Sequence, residues 1–255
     1  MKSLTGSHTE FRTPSHLVVK LDPERTTTWS AREIVERWLT LFKGTDVARR
    51  YRNNEPLNAT EEQALNADIA TWKARLSDLS WFMRCLNESI ARRANKEDKC
   101  KGHFWESRFK SQAVLDDIAL LRSMAYVDLN PIRAKLAESI ETSDYTSVQD
   151  RYRARENQPQ RLPVAQRPRL LPFRQSERDD IAHALPFNLD DYLNLVDATG
   201  RVIIEGKRGF IDGATPKLIQ SFFINAAQWM DTVTQPQHRL KLAIGTPEHL
   251  QNLAN

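Results

Sequence analysis

Apolar positions between 114 and 129 recur at helical spacing: Val114, Leu115, Ile118, Leu121, Ala125 and Leu129. The pattern predicts one amphipathic helix with this stripe inward, and Pro131 stops it. Upstream, 16–21 clusters β-branched and apolar residues before Asp22-Pro23 and predicts a short strand. Ser30-Ala-Arg-Glu33 has the form of a capping box, with Ile34, Trp38 and Leu41, flanked by Val35 and Phe42, as the apolar face behind it. Residues 52–59 predict a turn around Pro56. Thr60-Glu-Glu-Gln63 then opens a second helix in the same manner, with Leu65, Ile69, Trp72 and Leu76 inward. The longest helix is expected over 77–95, striped by Leu79, Phe82, Met83, Leu86 and Ile90.

The alternation over 102–110 predicts a strand, with His103, Trp105, Ser107 and Phe109 on one face and Phe104, Glu106, Arg108 and Lys110 on the other. Trp105 and Phe109 are read as core. After Tyr152 the pattern breaks: 153–175 is rich in Arg, Gln and Pro and reads as a basic linker. Beyond it, a helix over 189–197 ended by Gly200, a helix with Pro216 in its first turn and another over 225–233 predict a small helical module. The domain reading is therefore a disordered 1–15, a domain over 16–152, the linker and the module 176–255. The fold class is α+β but mostly helical.

Composition narrows the setting. The chain has 255 residues and a formal charge of +4, mildly basic and suited to a polyanionic partner. Its two cysteines, Cys85 and Cys100, form no metal-binding pattern and read as free thiols in a reducing cytoplasm. No apolar run approaches the ~20 residues of a membrane span, so no membrane partner is expected.

Candidate chemistry gathers at the end of the 114–129 helix. Tyr126 and Asn130 are one turn apart, so a phenol and a carboxamide share one small volume. The pair is either a helix-edge aromatic beside a helix-end residue or a nucleophile beside a metal ligand, and the pair alone does not decide. Basic side chains offer a phosphate-tracking surface: Arg84, Arg92 and Arg93 on the 77–95 helix, Arg108 and Lys110 on the strand, and Arg133 after Pro131. A solvated helix face accounts equally for the first three.

Three strings occur in order: Gly102-His103-Phe104-Trp105-Glu106-Ser107-Arg108-Phe109-Lys110, Tyr126-Val-Asp-Leu-Asn-Pro-Ile-Arg-Ala134, and Asp144-Tyr-Thr-Ser147. Together with Trp81-Phe-Met-Arg-Cys-Leu-Asn87 and Ala94-Asn-Lys-Glu-Asp98, this stretch resembles the REP-associated tyrosine transposases, a branch of the single-tyrosine HUH transposases. The resemblance fades after Arg151. It implies a remnant of a ferredoxin-like antiparallel sheet, single-stranded or hairpin DNA as partner, and Tyr126 as a nucleophile that cuts and joins DNA through a 5′-phosphotyrosine. It also implies a divalent metal, magnesium or manganese, held by a His-x-His strand and a residue of the tyrosine helix, which here would be His16 and Asn130. Family members act as monomers or dimers, so a homodimer is open.

Two departures qualify these expectations. Pro14 stands at the first histidine position of the metal motif and offers no ligand atom. Only fifteen residues precede His16, where the family carries a further strand and helix, so the chain is expected to be truncated or frameshifted, or Met1 is not the functional start. The expected protein is transposase-like with impaired catalysis; the alternative is a non-catalytic binder of DNA hairpins.

Overall fold

The computed structural model describes residues 16–22, 24–159, 170–175, 184–206, 216–234 and 243–245. The described chain is mostly helical and falls into two units, Val19–Lys110 and the described residues of 1–18 with Ser111–Asn255. The tract 1–15, with Pro14, lies outside the described residues, as does most of the stretch between 159 and 184.

In the unit Val19–Lys110, a short 3-10 turn over Glu24–Thr26 leads to α1 (Ala31–Leu41). Ser30 accepts the Glu33 backbone N–H while the Glu33 carboxylate accepts the Ser30 N–H, the capping box read from sequence. Ile34, Val35 and Trp38 are buried, but Leu41, expected inward, is exposed; Phe42 just past the helix end packs in its place. Helix α2 (Asp46–Arg52), capped by Thr45, lies before the turn expected around Pro56. Helix α3 (Ala59–Leu76) starts from an Asn58/Glu61 capping box rather than one built on Thr60. Trp72 of α3 stacks on Trp38 at 5.1 Å between ring centroids, with Leu65 buried beside them.

Helix α4 (Leu79–Glu97) occupies the span where the longest helix was expected, started by Asp78. Its stripe is not sealed: no residue of α4 is fully buried, and Phe82 and Ile90 are exposed. The two strands expected before residue 111 are absent. Residues 16–22 are irregular, with Leu17, Val18, Val19 and Leu21 exposed. Residues 102–110 are also irregular; the Trp105 indole N–H donates to the Asn87 carbonyl of α4, and no ladder forms. Alternation favours a strand only where another strand accepts its hydrogen bonds.

In the other unit, β1 (Ala113–Val114) precedes α5 (Asp117–Asp128), which Asp116 caps. The helix therefore begins later than its apolar pattern, and Val114 is extended. Leu121, Ala125 and Leu129 are buried as expected, joined by Met124. Pro131 does not end the helical path; it sits in the first turn of α6 (Asn130–Arg133), where its missing N–H costs nothing. Helix α7 (Ser147–Arg155) follows, capped by Thr146.

Beyond it come α8 (Leu189–Glu205), α9 (Lys217–Ser221), α10 (Ala226–Thr234) and β2 (Ala243–Ile244). The β1–β2 pair is parallel and two residues long, and no antiparallel ladder occurs among the described residues. Helices α8 and α10 pack on α6 and α5 in a single core with Tyr192 and Trp229 at its centre, so the break in composition is not a break in packing. The linker reading is corrected at both ends. Residues 153–155 complete α7, and Phe173 is buried, bridged to Leu185.

Gly200, expected as a helix end, lies inside α8. A Cβ there would stand 3.0 Å from Ile132 Cδ1 and 3.5 Å from Leu129 Cδ2, so the glycine lets α8 approach α6 closely. The helix ends instead at Gly206, whose φ of 69° favours glycine.

Candidate functional site

The apolar stripe of α5 rotates Tyr126 to the flank of the helix, half-buried. Because helical hydrogen bonding resumes past Pro131, with Arg133 N–H donating to Leu129 O at 3.0 Å, Asn130 and Arg133 come round to the same flank. The Arg133 guanidinium lies over the Tyr126 ring, its Cζ 3.7 Å from the centroid. Its Nη2–H donates to Asn130 Oδ1 at 3.0 Å, and its Nη1–H to the Val233 carbonyl in the last turn of α10 at 2.7 Å. A fixed cation thus stands against the phenol, held by two acceptors from two helices.

His16 completes the group. Its ring meets Tyr126 edge-on, 5.5 Å between centroids at 76°. Its Nε2 is buried with no hydrogen-bond partner among the described residues. Burial first, and the Arg133 charge second, pull the imidazole below its ordinary pKa, so it is neutral at pH 7. Burial likewise pulls Arg133 down, opposed by Tyr126, but a guanidinium starts so high that it stays charged.

A divalent metal does not fit these residues. A hard cation takes several oxygen ligands, usually with a carboxylate among them. Here one imidazole nitrogen and one carboxamide oxygen are available, and that oxygen already accepts from a guanidinium. Setting a second cation beside Arg133 adds like-charge repulsion. Among the described residues no group of three or more His, Cys, Asp or Glu could hold a metal.

On the buried side of the same helix, Asp128 carries a second arrangement that the sequence reading missed. Its carboxylate is buried and accepts from Tyr192 Oη at 2.6 Å, Ser147 Oγ at 2.8 Å and the Val148 backbone N–H at 3.2 Å. Desolvation raises its pKa, opposed by these three donors and by Arg151 nearby. Desolvation and the neighbouring carboxylate push the Tyr192 phenol well up. The signal was present: an acid seven residues after Leu121, on the inner face and at the negative end of its helix, requires donors from elsewhere. Ser147 of the third motif is one of them, so two of the recognised strings meet here.

The remaining candidates lie in the unit Val19–Lys110. Arg84 is exposed, with its guanidinium carbon 5.3 Å from the Trp81 ring centroid. Arg92 pairs with Glu88 one turn back, and Arg93 is exposed on the same helix. Arg108 and Lys110 are exposed, while Trp105 and Phe109 are half-buried rather than core. No helix among the described residues is long and apolar enough to cross a membrane. The structure therefore brings together His16, Tyr126, Asn130 and Arg133 as one site and leaves five cations on the surface of the other unit. Comparison of the chain with protein-family models, with curated proteins and with solved structures found no match.

Proposed function

We propose that the chain is a transposase-like protein that engages single-stranded or hairpin DNA at Tyr126, with strand cleavage impaired. The observation that carries this reading is the convergence of Tyr126, Asn130, Arg133 and His16, three of them from one recognised string and the fourth from a distant segment. In the reading, Tyr126 Oη attacks a backbone phosphorus, a Tyr–O–P bond forms and the bond from phosphorus to the 3′-oxygen breaks. The 3′-oxygen leaves as a hydroxyl after taking a proton, and the phenol proton passes to solvent. A guanidinium beside the phenol offers N–H donors and charge to the phosphate oxygens. With one fixed cation in place of a metal, less charge stabilisation is on hand, and cleavage is slow.

A second reading, a non-catalytic binder of DNA hairpins, is favoured by one observation: Asn130 Oδ1 is already occupied by Arg133. Both readings keep the finer expectations as part of the proposal: a fold descended from a ferredoxin-like sheet, a cytoplasmic setting, and a monomer or homodimer on DNA. Incubation with a labelled single-stranded hairpin, followed by denaturing electrophoresis, separates them. A faint adduct that disappears in Tyr126→Phe supports the impaired enzyme. Retarded hairpin with no adduct at any time supports the binder, and a protein that neither retards nor links the hairpin refutes both.

A further inference from the structure

Where α3 passes into α4, two arginines converge on one indole. The Arg75 guanidinium carbon stands 4.3 Å from the Trp81 ring centroid and that of Arg84 stands 5.3 Å from it. The two charges are therefore no farther apart than those distances together. Neither arginine has a hydrogen bond or ion pair to a described residue, although both are exposed and fully able to make one. Like charges drawn together with neither held in an ion pair repel, and the indole face offsets only part of that cost.

Beside them lies an open hollow of about 310 Å³, lined by Ala74, Arg75, Asp78, Ser80, Trp81 and Arg84. Asp78 lines the same hollow but forms no ion pair with either arginine. Its carboxylate accepts the Trp81 backbone N–H at 2.8 Å as the cap of α4. The Trp81 indole N–H is shielded and finds no acceptor among the described residues. Trp81 itself is stacked against Trp38 at 6.4 Å, and the Arg75 guanidinium carbon also stands 6.0 Å from the Trp38 ring centroid.

We infer that Arg75, Trp81 and Arg84 form a clamp for the sugar–phosphate backbone of single-stranded nucleic acid, a site separate from the tyrosine centre. Two preset guanidiniums match two successive phosphates, or two oxygens of one, through paired N–H donors. The hollow admits the sugar, and Ser80 Oγ is a further donor at its wall. Base identity is not read, because both arginines and the ring they rest on address the backbone. This inference rests on the reading of the chain as a DNA-engaging protein.

The test uses the full chain and a fluorescein-labelled oligothymidylate, which has no hairpin. The double variant Arg75→Gln/Arg84→Gln is expected to bind it roughly tenfold more weakly at low salt, and to lower the salt slope by about 1.4, at ~0.7 per single-strand phosphate. Lys43→Gln, altered on the surface of the same unit but outside the hollow, is expected to match the wild type. Arg75→Lys/Arg84→Lys should recover most of the salt slope with weaker binding, and the wild-type Trp81 indole N–H resonance should shift on titration. Unchanged affinity and slope in the double Gln variant, with its fold intact by circular dichroism, would overturn the clamp while leaving the tyrosine centre untouched. Loss of hairpin binding in Tyr126 or Arg133 variants with oligothymidylate binding unaltered would support it as a separate site.

Discussion

The Arg133 guanidinium lies 3.7 Å from the centroid of the Tyr126 ring and is held there by Asn130 Oδ1 and the Val233 carbonyl. One side chain thus joins α5, α6 and α10 and supplies the charge at the phenol. Arg133→Gln is expected to weaken hairpin retention and to cost about 1–3 kcal/mol of stability, because a carbonyl and a carboxamide lose a charged donor. Arg133→Lys keeps the charge but cannot bridge both acceptors, so it should recover hairpin retention more fully than stability. Thermal melts and gel retardation on the same preparations check the split.

Asp128 makes a second lock. Tyr192→Phe removes the donor at 2.6 Å and leaves a carboxylate oxygen buried without it. The expected loss is about 1–3 kcal/mol in denaturant unfolding. Asp128→Ala strands Tyr192, Ser147 and the Val148 N–H together and should cost more than Tyr192→Phe. The reverse order would contradict the lock.

The close crossing of α6 and α8 depends on Gly200. Valine there would press on Ile132 and Leu129. Gly200→Val is expected to destabilise this unit by about 1–3 kcal/mol, the usual cost of overpacking. Circular dichroism melts would check it, and a variant as stable as the wild type would show that the helices separate freely.

Acid should loosen the start of α3 through Glu61. The Asn58 backbone N–H, then the Arg50 side chain, hold this carboxyl below its ordinary 4.5. A depressed folded pKa gives stability that is present above 4.5 and lost as pH falls through the lowered value. Glu61→Gln is therefore expected to flatten the acid limb of unfolding below pH 4.5 and to lower stability at neutral pH. Tryptophan fluorescence reads it well, since Trp29, Trp38, Trp72, Trp81 and Trp105 all lie in this unit and only Trp229 lies outside.

Local rules carried much of this structure in the sequence. Ser30 and Glu33 announced α1, and Leu121, Ala125 and Leu129 gave the inner face of α5, because caps and periodicity act within one helix. What failed depended on partners. The alternation over 102–110 is real, but without a neighbouring strand Trp105 turned to the Asn87 carbonyl instead. Pro131 and Gly200 were read as stops from residue type alone; one sits harmlessly in a first turn, and the other serves a contact with Ile132, distant in the chain. At the site, Tyr126 and Asn130 were legible as a pair one turn apart. That Arg133 would fold back onto both of them depends on the Val233 carbonyl a hundred residues on, which no local pattern reports.

The most direct test of the account is the affinity of the full chain for a single-stranded DNA hairpin, measured side by side in manganese and in EDTA. With Arg133 as the cation at Tyr126, the hairpin binds equally well in both and is released by rising salt. Binding that appears only with manganese would show a metal centre at Tyr126 and contradict the account.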